Sequence, residues 1–176
     1  ARLLQEELVN FAIATDVSQP SLDKSERLLK ALFSEDQFAV RCGDGLKVLQ
    51  AKEVEAVIIA GMGGQLMIRL INDEFEDVKS LKYLILQPMQ GAELLFGWLS
   101  HHGFHLVDCR LARENRRYYP IVKVVYTGAK EEISYDSFAS SPNYKAFVKF
   151  QMDHYQQIED QIRNSSSSLS DLQEIV

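Results

Sequence analysis

The sequence predicts an α/β protein in which helices cover both faces of a mainly parallel sheet. Short apolar runs, of which 54–60 is the clearest, alternate along the chain with segments of helical periodicity. This alternation is typical of right-handed crossover units. Polar and glycine residues directly follow the apolar runs, at the strand ends where such sheets bind ligands.

Individual elements follow from the same patterns. Pro20 suits the first turn of one helix, Gly103 suits the end of another, and a helix is expected between successive strands as far as the last two. Those two strands are joined by a short polar segment and should pair as an antiparallel hairpin. The predicted strands are 8–15, 38–42, 54–60, 82–86, 104–111 and 121–127. The predicted helices are 1–7, 20–32, 65–72, 91–102 and 143–164.

The C-terminal part of the chain has a different pattern, which divides the chain into domains 1–128 and 129–176. Residues 128–142 are rich in turn formers and resemble a linker, and a long polar helix follows. Its apolar stripe has heptad-like spacing, with Gln151 filling one gap, and therefore predicts packing on a second helix. Four serines at 165–168 are expected to break the helix, before a return helix at 169–176. The stripe consists of Tyr144, Val148, Tyr155, Ile158 and Ile162.

Composition excludes several classes of protein. The 176 residues are 46% hydrophobic and carry a net charge of −6, which is ordinary for a folded globular protein. No apolar run approaches the roughly 18 residues that cross a bilayer. Two distant cysteines and four histidines without ligand spacing predict no disulfide framework and no metal site. We therefore expect a cytoplasmic protein with reduced thiols and no membrane contact.

Two acids follow successive predicted strands and suggest a nucleoside site. Asp16 stands where a carboxylate commonly accepts hydrogen bonds from ribose hydroxyls, although it could also be a helix N-cap. Asp44 lies between two glycines, where it could accept from an adenine amino group or simply form a tight turn. The pair favours a nucleoside over two unrelated turns.

A glycine-rich turn, Gly61-Met62-Gly63-Gly64, follows the clearest strand. It is not a dinucleotide motif, because Leu66 stands where the pattern G-x-G-x-x-G requires a small residue. The absence of side chains leaves space for a second planar molecule beside a cofactor. The alternative is that these glycines permit close packing of helix on strand.

A basic strip lies in the predicted hairpin. Residues 110–117 contain four arginines and one glutamate, a local charge of +3. Arg113, Arg116 and Arg117 could contact phosphates, and Tyr118 could stack on an unpaired base. The alternative is a hairpin tip whose arginines serve solubility alone.

Several segments resemble one bacterial family. They are VIIAGMGGQL at 57–66, LILQPMQGAELLFGW at 84–98, HGF at 102–104 and the tyrosine pair at 118–119. The chain thereby resembles the tRNA adenine N1-methyltransferases that modify adenosine 22. The resemblance implies a Rossmann-like class I methyltransferase domain, S-adenosylmethionine as cofactor, tRNA as partner and a C-terminal coiled coil. The family's glycine-rich first strand and loop would precede Ala1.

The resemblance also implies roles for individual residues. Asp16 would contact the ribose, Val17 the adenine face, and Asp44 and Gly45 the adenine amino group. Ala60, Gly61 and Met62 would adjoin the methionine moiety and the target base, with Gln87 and Pro88 forming the far wall. Contact of the arginines and Tyr118 with tRNA rests on charge alone.

The expected reaction needs little beyond positioning. Adenine N1 is a neutral nucleophile once base pairing is broken, so no strong base is required. An acceptor near the amino group would stabilise the cationic product, and Gln87 or a backbone carbonyl at 60–61 are the candidates. A non-catalytic RNA-binding module and a small-molecule methyltransferase remain alternatives. The sequence does not determine the oligomeric state.

Overall fold

The strands lie in two separate sheets. The computed structural model describes residues 1–115 and 117–173. Strands β1 (Ala12–Asp16) and β2 (Phe38–Cys42) form a two-stranded parallel sheet. The second sheet has the order β3-β4-β6-β5. Its strands are β3 (Ala56–Gly63), β4 (Tyr83–Gln90), β5 (Phe104–Glu114) and β6 (Arg117–Tyr126).

The pairing confirms the predicted combination of parallel strands and a terminal hairpin. β3 is parallel to β4, whereas β6 is antiparallel to both β4 and β5. Among the described residues the strands form two sheets, because β1 pairs with β2 and β3 with β4, but β1 and β3 do not pair. An apolar run specifies a buried strand but carries no information on which neighbour it pairs with.

Six helices accompany these strands in the described part of the chain. Pro20 lies in the first turn of the second helix, and Gly103, with φ of +82°, follows the end of the fifth. The helix expected between β2 and β3 is replaced by a 3-10 turn, Gly45–Val48. The helices are α1 (Arg2–Gln5), α2 (Gln19–Leu32), α3 (Gly64–Asp73), α4 (Phe75–Lys79), α5 (Ala92–His101) and α6 (Tyr144–Gln173).

The main core lies between the second sheet and the helices around it, and the segment expected to be a linker is part of it. Ile133 and Phe138 are buried in this core, and the Ile133 N–H donates to Ser100 Oγ at 2.9 Å. The first residues of α6 also pack there, through the buried Phe147. A smaller core of Leu4, Leu29 and Phe38 holds the first sheet against α1 and α2.

Helix α6 continues through the serines that were expected to end it. The backbone is helical from Tyr144 to Gln173, so the predicted break at 165–168 and the return helix are wrong as far as residue 173. Serine lowers helix propensity by only a few tenths of a kcal/mol, which does not interrupt the backbone hydrogen bonding. Residues 174–176 of the predicted return helix lie outside the described residues. The division into domains 1–128 and 129–176 stays a prediction.

Candidate functional site

Asp16 and Asp44 lie at the same edge of the first sheet. Asp16 is opposite Cys42 at the carboxyl ends of β1 and β2, and the Gly43 N–H donates to the Asp16 carbonyl at 3.0 Å. The Asp16 carboxylate accepts the Ser18 N–H at 2.8 Å through Oδ1. Its Oδ2 has no hydrogen-bond partner among the described residues, so it can accept from a ligand. The helix N-cap is Ser18 rather than Asp16.

The Asp44 carboxylate is held by an arginine that the sequence analysis did not single out. Arg69 on α3 donates Nη1 to Oδ2 at 2.8 Å and Nη2 to Oδ1 at 2.9 Å. The hydrogen bond from Arg69 is the largest cause that lowers the pKa of Asp44, and the charges of Arg69 and Lys47 act in the same direction. No sequence spacing could have found this pair, since its partners are 25 residues apart on different elements.

Gly45 makes the contact between the two sheets close at this point. Its φ is +62°, a region that favours glycine, and a Cβ there would lie 2.5 Å from Leu70 Cδ2. The turn after Asp44 therefore packs directly on α3, the helix that follows β3. This contact and the Arg69 pair join the first sheet to the end of the second.

Gly61 is the extra residue in a bulge at the end of β3. Ala60 pairs with Gln87 and Met62 with Pro88, so Gly61 has no partner in the ladder. Its φ is +77°, and a Cβ there would meet nothing within 4 Å. Because that space is open and Ala60 and Gly61 are exposed, this turn can border a ligand. This agrees with the expectation that the missing side chains leave space for a second planar molecule.

Gly64, by contrast, permits the close packing of neighbouring elements. A Cβ at Gly64 would lie 2.1 Å from the Gly91 carbonyl oxygen, so the start of α3 must be glycine to approach the start of α5. The two hypotheses for the glycine-rich turn therefore apply to different glycines.

Gln87 fixes the glycine-rich turn through its side-chain amide. Its Oε1 accepts the Gly61 N–H at 3.0 Å, and its Nε2 donates to the Pro88 carbonyl at 3.1 Å. Pro88 is fully buried and has no surface to offer a substrate. Gln87 and the backbone carbonyls at 60–61 both stay candidates for the acceptor of the target amino group.

The basic hairpin lies toward the same end of the second sheet. β6 is antiparallel to β4, with Leu86 opposite Val122, so the start of β6 extends toward the end of β4 that carries Gln87. Arg113 is opposite Tyr118, with its guanidinium carbon 5.6 Å from the ring centroid. Arg117 is exposed, and Arg116 lies outside the described residues.

Tyr118 is engaged by protein side chains. Its ring centroid lies 5.9 Å from that of Phe147 and 5.5 Å from that of Phe150, both on α6. In this arrangement Tyr118 links the hairpin to α6, and its role in stacking on a base stays a prediction. Arg113 and Arg117 are exposed.

A cleft of about 570 Å³ lies elsewhere, between α5 and residues 130–135. Phe96, Gly97 and Tyr135 are among its lining residues, and burial, the largest cause, together with Glu93 raises the pKa of the Tyr135 hydroxyl. None of the residues that the sequence analysis singled out lines this cleft. The candidate site is instead an open edge formed by the carboxyl ends of β1 to β4.

None of the helices among residues 1–115 and 117–173 is both long and apolar enough to span a bilayer. These residues also contain no group of three or more histidine, cysteine, aspartate and glutamate side chains arranged to hold a metal ion.

Comparison with known proteins identifies related chains. The family model of the methyltransferase domain matches residues 1–122. A tRNA (adenine(22)-N(1))-methyltransferase of Bacillus subtilis is 28% identical over 130 residues, which is 74% of this chain and 54% of that protein. The chain thus spans about half the length of the curated relative it matches.

Solved structures agree in fold. A Streptococcus pneumoniae protein, described as a candidate tRNA (m1A22) methyltransferase and solved with S-adenosyl-L-methionine, is 25% identical. Its TM-score is 0.80, with coverage of 91% of this chain and 77% of that one. A Listeria monocytogenes serotype 4b protein described as uncharacterized is 23% identical, with a TM-score of 0.83 over 93% and 75% of the two chains.

These matches confirm the resemblance and the Rossmann-like methyltransferase fold that it implied. The roles of single residues and the C-terminal coiled coil stay predictions.

Proposed function

The chain belongs to the methyltransferase domain family, and from that premise we propose that it transfers a methyl group from S-adenosylmethionine to N1 of adenine 22 in tRNA. The observation that carries the choice of acceptor is the match to the Bacillus subtilis tRNA (adenine(22)-N(1))-methyltransferase. The open strand ends and the basic hairpin at one end of the second sheet support it. Because its substrate is tRNA, we place the protein in the cytoplasm.

The described residues fit the nucleoside part of the cofactor. Asp16 Oδ2 is available to accept from ribose hydroxyls, and the neighbouring Val17, 69% exposed, offers an apolar surface to the adenine. Asp44 follows on the adjacent strand and can accept from the adenine amino group. The cofactor, when bound, supplies an electrophilic methyl group on a sulfonium.

The glycine bulge of β3 supplies the space for the acceptor base. The open region beside Gly61 can accommodate a planar purine, while the bond from its N–H to Gln87 fixes the turn. Positioning of a neutral N1 in line with the methyl group can lower the barrier by about 7 kcal/mol without a general base. Gln87 or a backbone carbonyl at 60–61 would accept from the target amino group as the ring becomes cationic.

The hairpin arginines would bind the tRNA backbone. Arg113 and Arg117 carry their charge at the end of the sheet where the base must enter, in a chain whose net charge is −6. Such a dipolar charge distribution orients a polyanion toward one face. Residues 129–176 form the second domain of the proposal, and the contact of Tyr118 with Phe147 and Phe150 would couple that domain to the hairpin.

The test is a methylation assay with the full-length protein. Labelled S-adenosylmethionine and a tRNA transcript with adenosine at position 22 should yield 1-methyladenosine at that position, and a transcript with guanosine there should remain unlabelled. Absence of label from both transcripts would overturn the assignment. Salt-dependent tRNA binding without S-adenosylhomocysteine binding would instead support an RNA-binding module, and cofactor binding without tRNA methylation would support a small-molecule acceptor.

A further inference from the structure

The position of Asp44 is set by helix α3 rather than by its own turn. Arg69 grips both carboxylate oxygens in a two-point fork, at 2.8 and 2.9 Å. A fork of this kind fixes the plane of the carboxylate as well as its distance, which a single lysine contact does not. The turn itself is seated on α3 by the close approach of Gly45 to Leu70.

Asp73 holds Arg69 from the other side, and Lys47 links Asp73 back to the turn. Asp73, one helical turn along α3, accepts from Arg69 Nη1 at 3.3 Å and from Lys47 Nζ at 2.9 Å. Lys47 also lies 3.7 Å from Asp44 Oδ2. Positive and negative groups therefore alternate around a ring, with two members from the turn after β2 and two from α3. All four are 30–46% exposed, so a ligand can reach the ring.

The fork leaves Asp44 able to bind a further donor. A carboxylate has about four lone-pair positions, and Arg69 occupies one on each oxygen. Arg69 also holds the pKa of Asp44 below its usual range, so the group stays ionised and only accepts hydrogen bonds. An adenine amino group can donate to it, whereas the carbonyl oxygen of hypoxanthine at the same position would be repelled.

We propose that Arg69 is a positioning residue that orients the Asp44 carboxylate to recognise the amino group of the cofactor's adenine, and so sets the preference for adenine over hypoxanthine. The inference rests on the proposed function, because it takes Asp44 as the adenine contact. If the ring serves only to join the two sheets, removal of Arg69 will lower stability but leave that preference unchanged.

The experiment compares two ligands that differ at one position of the base. Calorimetric titration of the full-length protein with S-adenosylhomocysteine and S-inosylhomocysteine gives the preference as a ratio of affinities. A hydrogen bond to a charged group predicts a ratio of about tenfold for the wild type. Arg69→Met should reduce the ratio to about threefold or less, mainly by weakening the adenosyl ligand. Arg69→Lys keeps the charge but lacks the fork, and should give an intermediate ratio.

Arg27→Met is the matched control, since Arg27 is an exposed arginine on α2 whose Nε donates to the Asp23 carbonyl. It should retain the wild-type ratio. If thermal unfolding shows that Arg69→Met is folded, an unchanged ratio of affinities in this variant would overturn the inference. If Arg69→Met does not fold, an unchanged ratio in Arg69→Lys would overturn it. Equal affinity of the wild type for both ligands would also overturn the role of Arg69, although the protein would still bind the cofactor. Failure of the wild type to bind S-adenosylhomocysteine would overturn the proposed function itself.

Discussion

Gly61 shows how a single residue shapes the candidate site. Its positive φ allows the bulge at the end of β3, and the missing side chain leaves the adjoining space open. The sequence predicted the open space from the glycine-rich pattern. It could not distinguish Gly61, where φ and space matter, from Gly64, where only the approach of Gly91 matters, because that difference depends on the neighbouring element.

Substitution at Gly61 should affect both stability and reaction. We expect Gly61→Ala to lower the free energy of unfolding by about 1–2 kcal/mol, because an L-residue is strained at this φ. It should also slow methyl transfer more than it weakens S-adenosylhomocysteine binding, because the Cβ enters the acceptor's space. Thermal unfolding and single-turnover methylation measure the two effects.

Gly97→Ala is the control, since its Cβ would also meet nothing within 4 Å but lies in helix α5. It should raise stability by up to about 1 kcal/mol. Equal stability of the Gly61→Ala and wild-type proteins would contradict the proposed role of the positive φ.

The acids of the site differ in how far the sequence could predict them. Asp16 and Asp44 were found by their place after successive strands, and the register of β1 and β2 brings them together. The ion pair of Asp44 with Arg69 could not be predicted, because it depends on how α3 packs against the turn at Gly45.

Among the elements, the turn between β2 and β3 is fixed by one partly exposed ion pair, Arg41–Glu53. Arg41 on β2 donates to both oxygens of Glu53 and to the Val48 carbonyl, and Glu53 also accepts the Gln50 N–H. The Arg41 hydrogen bond, with that from Gln50, lowers the pKa of Glu53 to about 2.

This pair predicts a pH dependence of stability. The pKa of Glu53 is lower in the folded protein than its ordinary value of 4.5, so its contribution is complete above pH 4.5 and is lost as the pH falls toward 2. The midpoint of thermal unfolding should therefore fall more steeply over this range in the wild type than in Glu53→Gln. Glu55→Gln, which removes an exposed carboxylate paired with Lys82, should follow the wild type. Parallel curves for wild type and Glu53→Gln would contradict the assignment.

Helix α6 is attached to the core through its first two turns. Phe147 is 5% exposed and packs on Tyr118 and Tyr135, whereas Met152, less than two turns later, is 66% exposed. We expect Phe147→Ala to lower the free energy of unfolding by about 3–5 kcal/mol in denaturant titration. Met152→Ala should change it by less than about 0.5 kcal/mol. Similar losses of unfolding free energy for the two substitutions would contradict the attachment of α6 through Phe147.

The sequence predicted the strands better than their assembly. The run at 54–60 became most of β3, and the hairpin of β5 and β6 formed as expected. Helix α4 has only five residues, too few for a helical period to be recognised. The packing of 128–142 on the core escaped prediction because its turn formers dominate the pattern, while Ile133 and Phe138 stand as isolated apolar residues.

For the molecule as a whole, the exposed Arg113 and Arg117 in a chain of net charge −6 lead us to propose the hairpin as the face that a polyanion contacts. Each phosphate that an arginine neutralises contributes about 0.7–0.9 to the slope of log affinity against log salt. Arg113→Gln combined with Arg117→Gln should lower the steepness of this slope for tRNA binding by up to about 2. Arg27→Gln on α2 should leave the slope unchanged. Filter binding over a salt series measures the slope for the wild type, the double variant and Arg27→Gln. An unaltered slope in the double variant would remove the hairpin from the tRNA interface.

We propose that the carboxyl ends of β1 to β4 together form one nucleoside site. A crystal structure of the full-length protein with S-adenosylhomocysteine would show whether they do. The ribose hydroxyls should lie within hydrogen-bond distance of Asp16, the adenine amino group at Asp44, and the sulfur beside Gly61. A ligand bound in the cleft between α5 and residues 130–135, with Asp16 and Asp44 untouched, would overturn the shared nucleoside site.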